Sequence, residues 1–94
     1  MEKDTQKGIA MISAVSHALK ARREHNDVGA AMNEVSRLAK SERDEQTKVG
    51  MIAAASKALE IAERNPDFSD RKVITQVMSD LPSIISTVKE HSAN

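Results

Sequence analysis

Apolar residues recur at every third or fourth position along almost the whole chain, and the strict alternation of a half-buried strand is nowhere sustained. The pattern predicts an all-α protein. A first helix is expected from about Asp4 to Glu24. On a wheel of 100° per residue, Ile9, Ile12, Val15, Ser16 and Leu19 share one face, with His17, Lys20 and Glu24 opposite. Arg22, Arg23 and His25 suit the negative end of that helix's dipole. A second helix is expected from a cap at Asn26 or Asp27 to about Lys40, with Val28, Ala31, Met32, Val35, Leu38 and Ala39 as its stripe.

The next stretch, Ser41 to Lys48, is wholly polar yet lacks Gly and Pro, so composition alone permits one long helix. Phase argues otherwise. The following stripe of Met51, Ile52, Ala55, Ala58, Leu59 and Ala62 lies about 160° away from the second on a continuous wheel. A straight helix would bury opposite sides of itself, so a break is expected between Ser41 and Asp44, with Ser41 able to cap. The competing solution is a continuous helix that exchanges a hairpin with a second copy; bending is the preferred one.

The third helix should run from about Asp44 to Arg64 and stop at Asn65-Pro66, because the residue before proline is pushed out of helical geometry. Phe68, Ser69 and Val73 then have the spacing of a hydrophobic staple around an N-cap. Val73, Ile74, Val77, Leu81, Ile84, Ile85 and Val88 form a fourth stripe that stays in phase across Pro82. A kink, or a restart capped by Asp80, is expected there, with fraying after Glu90.

Shifted by forty residues, the chain matches itself at Met11/Met51, Ile12/Ile52, Ala14/Ala54, Ser16/Ser56, Ala18/Ala58, Leu19/Leu59 and Asp27/Asp67. This reads as a duplicated helical hairpin, against the alternative of two Ala-rich helices alike by composition. The expected architecture is a single domain over 1–94, a compact four-helix bundle of hairpin 1 (about 4–40) and hairpin 2 (about 44–90). Two repeats are too few for a free-standing solenoid.

Composition narrows the function classes. Fourteen Lys/Arg balance 14 Asp/Glu, giving net charge +0, so no global field favours nucleic acid or an anionic membrane. There is no cysteine, tryptophan or tyrosine and one phenylalanine, which removes thiolate chemistry, disulfides and an aromatic platform for bases or sugars. The start MEKDTQKG carries both signs of charge and is not followed by a signal-like apolar run, nor does any window have the apolar length of a membrane span. A cytoplasmic location is the expectation.

Chemistry-bearing patterns are sparse. His17, His25 and His91 lack the i, i+4 spacing that sets two imidazoles on one helix face, so no metal site is expected. The serines sit in neither a nucleophile elbow nor a Gly-rich phosphate loop, and no histidine has an obvious carboxylate orienter. Glu60, Glu63 and Arg64 read as a solvated face, and Glu42, Asp44 and Glu45 as a solvated connection. Met11, Met32, Met51 and Met78 read as core by spacing.

Small residues form a second stripe, Ala10, Ala14, Ala18 and Ala21, on the first helix, with Ala54 and Ile61 on the third. They either pack within the chain or offer a surface for a partner helix, and with Lys20, Arg22 and Arg23 they make up the candidate interaction surface. The expected function is a non-catalytic protein-binding module or regulator acting by helix-mediated docking as a homodimer, without cofactor. The alternative is a nucleic-acid-binding regulator using the Lys20/Arg22/Arg23 helix end, where phosphate contacts would have to supply the affinity.

Overall fold

The computed structural model describes the backbone from Glu2 to Ser92 and the side chains from Gln6 to Val88. Four helices account for nearly all of it: α1 (Glu2–His25), α2 (Val28–Lys40), α3 (Glu45–Arg64) and α4 (Asp70–Ser92). They form a compact all-α bundle with a Cα radius of gyration of 12.5 Å.

The boundaries follow local chemistry. Asn26 adopts the left-handed conformation at φ 49°, which Asn tolerates better than other side chains, and so turns the chain out of α1. Asp27 then caps α2, its carboxylate accepting from the Gly29 amide at 3.0 Å. At the other end of α2, the Ser41 hydroxyl donates to the Leu38 carbonyl at 2.7 Å. Ser41 therefore closes α2 instead of opening α3. Asp44 opens α3, accepting from the Thr47 hydroxyl at 2.7 Å and the Thr47 amide at 3.3 Å. The expected break is present between these two caps.

Asn65 caps the end of α3 before Pro66, and its side-chain amide donates to the Ile61 carbonyl at 3.0 Å. Ser69 caps α4 by accepting from the Lys72 amide at 3.1 Å, while Phe68 packs against the core that contains Val73. The helix α4 is continuous through Pro82, so Asp80 does not cap a restart. Proline removes the amide that would serve the Met78 carbonyl, and both residues lie on the exposed side, where water can replace that bond. α4 continues two residues past Glu90, to Ser92, where fraying is expected; residues 93–94 of that stretch lie outside the described residues.

α1 and α3 are the central pair. They run parallel and in step, with Lys7 beside Gln46, Met11 against Gly50 and Arg22 against Glu63. α2 packs on one side of this pair and α4 on the other, and α2 and α4 do not touch among the described residues. The seam is made of short side chains: Ala14, Ala18, Ala54, Ala55 and Ala58 are each 0 % exposed. Met11, Val15, Leu19, Met51 and Leu59 fill it further, and Val35, Val73 and Val77 close it from the flanks. At Gly50 an added Cβ would stand 3.1 Å from the Met11 sulfur, so the backbone of α3 comes close to α1 here.

This burial pattern corrects the first stripe. The inner face of α1 is Met11, Ala14, Val15, Ala18, Leu19 and Ala21, rotated roughly 100° from the face of larger residues on the 3.6-residue wheel. Ile9 and Ser16 point outward. A central helix touches neighbours on several sides, and the side facing the nearest helix axis takes alanine because nothing larger fits. Met11 and Met51 are core, Met32 is partly buried, and Met78 is exposed, contrary to its spacing.

Candidate functional site

The structure divides the candidate interaction surface into two sets. Ala14, Ala18, Ala21 and Ala54 are buried in the seam and are inaccessible to a partner. Ala10 and Ile61 are partly buried and packed against the same core. Lys20, Arg22 and Arg23 stay at the surface, but two of them already face carboxylates: Arg22 pairs with Glu63 of α3, and Arg23 with Asp70 of α4 at 2.8 Å. The helix end is thus tied to both elements of the second hairpin. Exposed pairs of this kind contribute little stability individually, about 0.2–1 kcal/mol.

An exposed apolar side chain lies one face round from the alanines. Ile9 is 67 % exposed, and Ser13, Ser16 and Lys20 continue its strip along α1. On α3, Val49 and Ile52 are exposed, and Ser56 and Lys57 also lie at the surface. Ile9 borders an open groove of about 1020 Å³ between the first half of α1 and the α2–α3 connection. Ala10 and Ser13 line it from α1, and Ser41, Glu42 and Arg43 from the connection. Lys7 crosses its end, donating to Gln46 and lying 4.0 Å from Asp44. Asp44 is held below the ordinary carboxylate range by its hydrogen bond from the Thr47 hydroxyl, with the Lys7 charge acting in the same direction. The groove is therefore pinned at one rim by a capped carboxylate and carries an exposed branched side chain at the other.

A second cleft, about 470 Å³, opens between α1 and α2 near their turn and is lined by His17, Lys20, His25, Glu34 and Arg37 among others. His17 Nδ1 stands 3.7 Å from Glu34, which also takes two hydrogen bonds from Arg37. The Arg37 guanidinium holds the Glu34 carboxyl below its usual range, and the charges of His17 and His25 add to this. No carboxylate for a histidine is visible in the sequence because Glu34 is distant from His17 along the chain. The signal was the two-residue turn at Asn26-Asp27, which folds α2 back along α1 and sets the pair side by side.

Among the described residues, no group of three or more His, Asp or Glu side chains is placed to hold a metal ion; the His91 side chain is outside them. No described helix is long and apolar enough to cross a membrane. The chain matches no protein-family model, and neither a curated protein nor a solved structure shows significant similarity to it.

Proposed function

We propose that the protein is a non-catalytic binding module that acts by helix-mediated docking, with the Ile9 groove as its contact surface and an amphipathic helix of another protein as its occupant. The observation that carries this reading is Ile9 itself. Ile9 is 67 % exposed beside an open groove that Ala10 also lines, and the bundle's own packing leaves this apolar surface uncovered. A partner helix would lay an apolar residue against Ile9 and Ala10, with polar contacts to Ser13, Glu42 and Arg43 at the edges. In this reading the protein is itself cytoplasmic, a regulator that works as a homodimer.

Nucleic-acid binding through Lys20, Arg22 and Arg23 has less support. Two of those three cations are engaged by Glu63 and Asp70, and net charge +0 offers no basic excess.

The test is affinity capture from native lysate, comparing the parent with Ile9→Glu at equal loading. The expected result is one or more proteins held by the parent and lost with Ile9→Glu, the variant keeping the parent's circular dichroism. An identical retained set for both chains would remove the groove from the account.

A further inference from the structure

The two halves of α4 are held very differently. Before Pro82, Val73 and Val77 are fully buried and Ile74 packs on the core. Beyond it, Val88 alone is buried among the described residues, and Ile84 and Ile85 are half-buried. The packing of this second half is also incomplete. A small cavity of about 10 Å³ lies beneath Ile85 and Val88, against Met11 and Gly50, and an open groove of about 350 Å³ runs along Ile84 beside Ala53 and Lys57 of α3. The backbone is weakened in the same place. Pro82 has no amide for the Met78 carbonyl, and its ring crowds that turn. The hydroxyls of Ser79 and Thr87 donate to carbonyls four residues back, Thr75 at 3.2 Å and Ser83 at 2.9 Å, an arrangement that competes with the helix ladder and bends it.

We propose that α4 beyond Pro82 is a strap, which undocks from α1 and α3 while the rest of the bundle stays folded and so uncovers Met11 at the seam. Local opening of this kind draws on the least-packed part of a fold, and here shallow burial and a broken hydrogen-bond ladder coincide in one stretch. What lies under the strap gives the motion a use. Lys7 and Gln46, joined by a hydrogen bond, line both the cavity beneath Ile85 and Val88 and the Ile9 groove. With the strap away, this bridge is what separates the Ile9 groove from an apolar floor at Met11 and Gly50, and a docking helix gains depth that the closed groove lacks. That consequence rests on the docking reading above; the undocking itself does not.

Native-state hydrogen exchange on the whole chain tests the strap. The amides of Ile84 to Val88 should exchange at least about tenfold faster than those of Val77 to Leu81, as a step at Pro82 with one shared denaturant slope. Pro82→Ala restores the missing amide and should cut that difference to about twofold or less. Rates that rise smoothly, residue by residue, towards the C-terminus, as end fraying gives, would overturn the proposal. A step that Pro82→Ala leaves unchanged would overturn it as well.

The chain has no cysteine, so thiol labelling gives a second measurement. Met11 and Leu19 are 1 % and 2 % exposed on the same helix, so simple exposure does not separate them. Their covers differ. α4 runs antiparallel to α1, with Leu81 near Gly8 and Asp70 paired with Arg23, which puts Met11 under the strap and Leu19 beside the first half of α4. Under native conditions Met11→Cys should react with a thiol reagent at least about tenfold faster than Leu19→Cys, and adding Pro82→Ala should slow the first more than the second. Equal rates would overturn the uncovering of Met11. Should Met11→Cys fail to fold, exchange on the parent chain decides alone. Should Ile9→Glu leave the captured proteins unchanged, the docking reading falls, and the strap is still judged by exchange.

Discussion

The central and flanking helices solve the packing problem with different side chains. α1 and α3 meet through alanine, with Ala14, Ala18, Ala54, Ala55 and Ala58 fully buried, whereas α2 and α4 close the bundle with Val35, Val73 and Val77. A helix in the middle of a bundle must admit neighbours on several sides, and its closest approach limits side-chain size. A helix at the edge needs one stripe, and branched side chains fill it. Small residues mark the closest approach of α1 and α3, beside the larger Met11, Val15, Leu19, Met51 and Leu59 of the same pair, and branched residues close the flanks.

The largest expected effects come from breaking that difference. At the seam, Ala18→Leu adds three carbons where no space exists; it should cost about 1–3 kcal/mol or more in urea unfolding, although leucine is as apolar as any core residue. On the flank the opposite change is the damaging one. Val77→Ala should cost about 2 kcal/mol through lost burial and a residual cavity. Should Ala18→Leu prove neutral while Val77→Ala is costly, the seam would be looser than its burial indicates.

Smaller effects belong to the turns. Asp44→Ala removes the α3 cap and should cost about 1 kcal/mol at neutral pH. The Asp44 carboxyl is depressed in the folded state by Thr47 and then Lys7, so its contribution is present above the ordinary carboxylate range and is lost as pH falls through the folded value. The variant should therefore show a shallower loss of stability on acidification than the parent, and parallel acid-side curves would remove Asp44 as a cause. Smallest is Asn26→Gly. At φ 49° glycine meets no Cβ penalty, so the variant should hold or gain a few tenths of a kcal/mol, and Asn26→Val should lose about 1–2 kcal/mol.

The stripes of α2, α3 and α4 were legible in the sequence where that of α1 was not: on α3, Met51, Ala55, Ala58, Leu59 and Ala62 are buried as their spacing requires, and Ile52 alone of that stripe is exposed. The stripes of α2 and α4 combine Val, Ile, Leu and Met with Ala31 and Ala39, and Ala31, Val35, Ala39, Val73, Val77 and Val88 are buried as that spacing requires, whereas Val28 at the start of α2 is exposed. The break between α2 and α3 was legible from phase alone. Helix α1 misled because hydrophobicity scales weight Ile9 above Ala18. A period of larger residues draws the eye to a face that is partly surface, while the alanines that let α3 approach look like generic helix formers. The choice between packing and docking for the alanine stripe could not be settled from spacing, since both place small residues on one face. Glu34 beside His17, and the carboxylates facing Arg22 and Arg23, required knowing which helices are neighbours.

The alanine face of α1 and α3 is closed inside the molecule and the Ile9 face is open. Paired introduction of a carboxylate tests it most directly: Ile9→Glu and Ala54→Glu, each followed by chemical denaturation monitored by circular dichroism. Ile9→Glu should stay within about 0.5 kcal/mol of the parent, as exposed substitutions do, while Ala54→Glu, which forces a charge into the seam, should lose several kcal/mol or fail to fold. A stable Ala54→Glu together with an unfolded Ile9→Glu would contradict the account, because the buried face of α1 would then be the one its larger residues suggested.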